Sequence, residues 1–302
     1  MPEVPFLKRG DKTTVLSTAR KVELADLEAS LKVMQSWGLL VHQGNSIGKV
    51  QDQFAGSDQV RAADLQAALD DESVRAIFCA RGGYGTIRII DKLDFTSFAR
   101  NPKWIIGYSD VTVLHSHIQA RYSMPAIHGV MPSIFRFDEA GMRAQETLRK
   151  AVFGERLEYM VPHAYGVFRT GISEGILTGG NLSILYSLVG SVSDVNTDGK
   201  ILFIEDLDEY LYHVDRMMLA LKRAGKLSRL KGLIVGGMTE MNDNDTPFGK
   251  TAEEIILDHV KDYSYPVCFK FPAGHIRNNH ALRLGTKISF AVTSLDVIIK
   301  FI

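Results

Sequence analysis

Short apolar runs alternate with amphipathic stretches through the first half of the chain. TTVLST (13–18) reads as a strand. Leu24, Leu27, Leu31 and Met34 then recur three or four residues apart, the spacing of one helix face, and the pattern stops near Trp37-Gly38. LLVHQG (39–44) predicts a second strand, and Arg61 to Leu69 a helix with Leu65 and Leu69 on one face. VRAIFCA (74–80) is apolar almost throughout, as a strand must be when both faces of its sheet are covered. RGGYG (81–85) follows as a turn, Thr86 to Leu93 as a helix, WIIGY (104–108) as a fourth strand and Val111 to Arg121 as a further helix. This alternation predicts an α/β fold on a parallel sheet. Such sheets seat ligands at the carboxyl ends of their strands.

The rhythm breaks between about Ala140 and Thr170. One helix, Met142 to Val152, precedes the mixed stretch FGERLEYMVPHAYGVFRTG, which reads as a join. Beyond it come strands GILTGG, KILFIED, GLIVGGM, YPVCFKF, KISFAV and DVIIKFI, with helices at Leu182–Leu188, Tyr210–Ala224 and Thr251–Val260. The expected organisation is an N-terminal parallel α/β domain over 1–150, a join over 151–170, and a smaller mixed α/β domain over 171–302.

A chain of 302 residues can bury two cores. Its 35 basic and 35 acidic residues cancel, so no basic face points to nucleic acid or an anionic membrane. No apolar run reaches the roughly 18 residues of a membrane span, and the N-terminus has no signal-peptide core. A cytoplasmic protein is expected. Cys79 and Cys268 lie in apolar runs without a C-x-x-C pattern, as buried free thiols do. His115 and His117 are two apart on a helix and do not share a face, which disfavours a zinc pair. NDND (242–245) lacks the glycine and distal glutamate of a calcium loop. No metal or organic cofactor is expected.

The segment KWIIGYSDVTVLHSHI (103–118) carries the strongest chemical signal: a buried strand, a Gly-Tyr-Ser-Asp turn and a helix. Ser109 at that junction would point outward, with the free N–H groups of the helix start beside it. The logic is that of a nucleophile elbow; a plain helix cap by Ser109 or Asp110 is the other reading. RGGYG ends a neighbouring strand. A backbone N–H from Gly82 or Gly83 could join that of Asp110 in an oxyanion hole. Arg81 is placed to grip a carboxylate or to form an ion pair. ILFIEDLDEY offers Glu205, Asp206, Asp208 and Glu209 as carboxylates to orient an imidazole, and spacing does not choose among them. His275, beside Gly274 on an asparagine-rich loop, is a plausible general base among nine histidines. His128 reads as packing in a turn.

Five blocks in this order, ARGGYGTIRIID, KWIIGYSDVTVLH, EGILTGGNLSIL, ILFIEDLDEYLYHVDRMMLAL and FPAGHIRNN, resemble the LD-carboxypeptidases, serine peptidases that include microcin-immunity proteins. The similarity runs from about Gly38 to Gly285. It departs at VLSTAR (15–20), where the family's first strand continues into Val-Ala-Pro-Ser, and after His275. The resemblance implies a two-domain fold and a triad of Ser109 as nucleophile, Glu205 as acid and His275 as base. It implies an oxyanion hole from the backbone of Gly83 and Asp110. Arg81, as a candidate grip on a terminal carboxylate, and Gly82 are expected to contact the substrate. The resemblance further implies a homodimer that removes a terminal D-amino acid from murein tetrapeptide in cytoplasmic recycling. Two rival readings are the same triad acting on a peptidyl- or aminoacyl-nucleotide antibiotic, and a non-catalytic ligand-binding relative.

Overall fold

The structure, a computed structural model, describes residues 4–162 and 168–302. The strands are β1 (Lys12–Leu16), β2 (Leu40–Gln43), β3 (Val74–Cys79), β4 (Trp104–Gly107), β5 (Ala126–His128), β6 (Glu158–Pro162), β7 (Gly171–Asn181), β8 (Ile201–Leu207), β9 (Gly232–Thr239), β10 (Val267–Cys268), β11 (Leu282–Leu284), β12 (Lys287–Val292) and β13 (Asp296–Phe301). The α-helices are α1 (Glu28–Ser36), α2 (Asp58–Asp70), α3 (Thr96–Arg100), α4 (Thr112–Tyr122), α5 (Glu139–Val152), α6 (Leu182–Leu188), α7 (Leu211–Arg223) and α8 (Ala252–Val260).

Two sheets organise the chain. The first runs β11-β5-β4-β3-β1-β2 and is parallel except for β11. The second runs β10-β9-β8-β7-β12-β13-β6. Its β10-β9-β8-β7 half is parallel and its β7-β12-β13-β6 half antiparallel. The fold is thus mixed α/β, with a parallel-sheet N-terminal part. Residues of β3 and β4 such as Phe78 and Ile106 are fully buried, as strands covered on both faces require. One apolar core joins them to Phe203, Ile234 and Phe290 of the second sheet. A second core lies between that sheet and α6, α7 and α8, around Val214, Met217 and Ile255.

Several expectations are corrected. Part of the join expected at 151–170 is β6, the edge of the second sheet, with Tyr159 turned into the core; residues 163–167 of that join lie outside the described residues. β11, inside the stretch 171–302, crosses back to close the open edge of β5, burying Leu282 and Leu284. The helix expected at 86–93 is two 3₁₀ turns, Thr86–Arg88 and Ile90–Lys92. The Thr86 N–H is donated to the Asp110 carboxylate at 2.8 Å, away from a helix ladder. YPVCFKF pairs only at Val267–Cys268, because the backbone turns at Lys270 with φ 56°. Cys79 and Cys268 are buried free thiols, and burial pushes the Cys79 thiol up to about 12. No helix of the described residues is long and apolar enough to cross a membrane.

Candidate active site

Ser109 stands where β4 gives way to α4. Its φ of 62° is left-handed, a conformation that costs a non-glycine residue about 1–3 kcal/mol and marks a site whose surroundings over-determine it. The N-cap of α4 is Val111, and neither Ser109 nor Asp110 supplies a side-chain cap. The capping reading therefore gives way to an outward-facing hydroxyl on a strained turn. Opposite it sits Gly82, where a Cβ would lie 3.0 Å from Ser109 Cβ and 3.1 Å from its Oγ. A residue with a side chain there would push the two turns apart.

A buried cation holds that second turn. Arg61 on α2 is fully buried and donates to the carbonyls of Thr18 (2.6 Å) and Gly85 (3.0 Å), and it pairs with Asp58. Thr86 adds a hydroxyl bond to Thr18 at 2.7 Å. The Asp110 carboxyl is also buried. Burial raises its pKa, against the pull of the Thr86 hydrogen bond. Asp110 thus turns its side chain inward to bind the RGGYG turn, while its main chain stays at the cleft.

The second sheet supplies an imidazole and a carboxylate. The β8–β9 register slips between Ile204 and Asp206, which places Glu205 at an irregularity in the strand. Glu205 is fully buried and its Oε2 accepts from the His275 main-chain N–H at 3.0 Å and ring Nδ1 at 2.7 Å. Because an ionised carboxylate only accepts, Nδ1 carries the proton and Nε2 is left with its lone pair. Burial pulls the His275 pKa down, but the charge and hydrogen bond of Glu205, helped by Asp206 and Glu240, outweigh it, and the net shift is upward. The edge of the Tyr108 ring packs on the imidazole, centroids 4.8 Å apart. Gly274 has φ 102°, and a Cβ there would fall 2.5 Å from Glu205 Oε2, so the loop reaches the carboxylate only as glycine. Asn279 Oδ1 holds this loop by accepting from Gly274 N–H at 2.8 Å, with His128 Nε2 at 3.3 Å.

Ser109, Asp110, Arg81, Gly82, Gly83 and His275 all line one cleft of about 540 Å³, and Glu205 lies behind His275. No hydrogen bond joins the Ser109 hydroxyl to the imidazole among the described residues, whereas the His275–Glu205 link is formed. Of the other carboxylates in ILFIEDLDEY, none bonds the imidazole. Asp206 accepts from Asn181, Ser183 and Leu207, Asp208 from Asn242, and Glu209 binds His213. Arg81 forms no ion pair among the described residues. His128 lies in β5 rather than in a turn. No cluster of three metal-ligating side chains occurs among the described residues. Sequence reading passed over Arg61, Tyr108, Arg20 and Asn279. Arg61 had a signal: a charge spaced four from Leu65 and eight from Leu69 falls on the buried stripe of its helix.

A strained serine, a carboxylate-bound imidazole and a glycine-rich turn share one cleft, and the likeness to known proteins gives the class: a serine-type peptide hydrolase. Family models for the LD-carboxypeptidase N-terminal domain and C-terminal domain match residues 14–129 and 174–290. A probable murein peptide carboxypeptidase of Bacillus subtilis is 31% identical over 97% of this chain and 93% of its own length. A murein tetrapeptide carboxypeptidase of Pseudomonas aeruginosa is 28% identical over 91% of each chain. In fold, the crystal structure of muramoyltetrapeptide carboxypeptidase from Oxalobacter formigenes matches with a TM-score of 0.85 at 24% identity, covering 96% of this chain and 98% of that one. The wild-type microcin C7 self-immunity protein matches with a TM-score of 0.87 at 20% identity, covering 99% and 98%. The chain belongs to the LD-carboxypeptidase family and is a serine-type LD-carboxypeptidase acting on peptides.

Proposed function

We propose that the chain hydrolyses the L,D-peptide bond of murein tetrapeptide, releasing the terminal D-amino acid through a Ser109–His275–Glu205 triad, in cytoplasmic peptidoglycan recycling. The observation that carries this reading is the 2.7 Å contact between His275 and a fully buried Glu205 behind the cleft that Ser109 lines. His275 Nε2 takes the Ser109 proton as the oxygen attacks the carbonyl before the D-residue. Glu205 holds the Nδ1–H tautomer and steadies the imidazolium. Main-chain N–H groups of Gly83 and Asp110 receive the developing oxyanion. The imidazolium then protonates the leaving amine, and a water activated by His275 releases the acyl group. Hydrogen bonds between base and nucleophile are commonly long before substrate arrives, which supports reading the open Ser109–His275 gap as a resting state. The nucleophile and its partners come from opposite sheets, and the chain acts as a homodimer.

The test is release of the terminal alanine by the purified enzyme, as D-alanine from an L,D-tetrapeptide and as L-alanine from its all-L counterpart. The reading expects cleavage of the first alone. Cleavage of the all-L peptide at an equal rate would overturn it.

A further inference from the structure

The charges lining the cleft are not equally available. On one side Asp206, Asp208 and Glu209 each accept hydrogen bonds from neighbouring protein groups. On the other, Arg20 and Arg81 line the same cleft, and neither has an acid or a side-chain hydrogen bond partner among the described residues. Arg20 is also tied to the glycine-rich turn by shape. Gly83 has φ 115°, and a Cβ there would lie 2.7 Å from both Arg20 Cγ and Cδ. The aliphatic stem of Arg20 therefore lies where a side chain at position 83 would be. Its guanidinium is exposed in the cleft beside the turn that faces Ser109. Arg20 closes the VLSTAR segment, the place where this chain leaves the family's pattern.

A carboxypeptidase must bind one terminal carboxylate, and Arg81, next to Gly82 and so to Ser109, is placed for it. That leaves a second uncommitted guanidinium. We propose that Arg20 is a specificity residue that binds a second carboxylate, carried on the side chain of the substrate peptide. The inference rests on the reading of Ser109 as nucleophile in this cleft. A planar guanidinium pairs with a carboxylate through two parallel N–H···O bonds. The substrate class is then a peptide that is anionic both at its terminus and at an internal residue.

The experiment compares two L,D-tetrapeptides that differ at the third residue: meso-diaminopimelate, with a side-chain carboxylate, and lysine, without one. Wild-type enzyme is expected to favour the diaminopimelate peptide in kcat/KM by about 10- to 100-fold, the range of one hydrogen-bonded charge contact. Arg20→Gln is expected to bring that ratio to within about threefold of unity, and Arg20→Lys to recover part of it. A preference that survives in Arg20→Gln, or that collapses in Arg81→Gln alone, overturns the assignment. So does an equal loss on both peptides, which would mark Arg20 as a prop for Gly83. Binding of the same two peptides to Ser109→Ala enzyme, with and without Arg20→Gln, needs no turnover. It tests Arg20 separately from the nucleophile: failure of the triad would appear as turnover independent of Ser109, with the Arg20-dependent difference in Kd intact.

Discussion

Replacing Glu205 by glutamine keeps the shape of the buried side chain and removes its charge. The structure sets what that loses. The carboxylate accepts two hydrogen bonds from His275, at 2.7 Å from the ring and 3.0 Å from the main chain, in a fully buried position. One charge-assisted bond of this kind contributes about 1.5–3 kcal/mol. The larger effect is on proton placement. An amide N–H turned toward Nδ1 makes that atom the acceptor and moves the ring proton to Nε2, the atom that must take the proton of Ser109. Misplacing the tautomer while leaving the geometry intact lowers kcat by about 10⁴-fold in the best-known triad. Glu205→Gln is therefore expected to lose about 10²- to 10⁴-fold in kcat with a small change in KM. The pH profile gives an independent reading. Glu205 raises the His275 pKa against the opposing effect of burial. The base works when neutral, so the acid limb of kcat/KM against pH falls above the ordinary histidine value in wild type. It moves to lower pH in Glu205→Gln, where only the smaller contributions of Asp206 and Glu240 still oppose burial. The assay is D-alanine release from an L,D-tetrapeptide across pH 5–9. Wild-type kcat with an unmoved acid limb would refute the reasoning.

Three further outcomes follow from the same geometry. Gly274→Ala forces a Cβ to within 2.5 Å of Glu205 Oε2 at φ 102° and is expected to lower Tm and abolish measurable turnover; the strain alone is about 1–3 kcal/mol, and an unchanged Tm in calorimetry counts against it. Asn279→Ala leaves the Gly274 N–H without its 2.8 Å acceptor and is expected to cost about 1–3 kcal/mol in chemical unfolding and to lower kcat more than it raises KM. Burial, and then the neighbouring Glu205, push the Asp206 carboxyl up to about 7, so folding favours its protonated form and its contribution to stability falls as pH rises from about 4 to 7. Asp206→Asn removes that loss while sacrificing hydrogen bonds; its Tm deficit against wild type is expected to shrink between pH 5 and 8, and a deficit that grows would contradict the sign.

The turn that carries Ser109 and the parallel first sheet were legible because each rests on local pattern. A buried strand, a turn and a helix can be read from sixteen consecutive residues. Glu205 was not legible from its own segment. Four acids share that strand end, and only the packing of β8 against the Gly274–His275 loop decides which one meets the ring. The family resemblance had chosen Glu205 on other grounds. β5 and β11 escaped because strands of three residues carry too little periodicity. β11 in particular is defined by a partner more than 150 positions away in the chain. Arg61 was hidden for a related reason: it sits on an apolar stripe, and only the folded chain shows the two carbonyls that make its burial tolerable.

The most direct test of the account is kcat/KM for D-alanine release by Ser109→Ala against wild type on the same L,D-tetrapeptide, with both proteins shown to be folded. A nucleophile that works as a unit with His275 and Glu205 predicts a loss of at least about 10³-fold, with binding of the peptide retained. Turnover by Ser109→Ala within about tenfold of wild type would contradict the central claim, because the chemistry would then not run through Ser109.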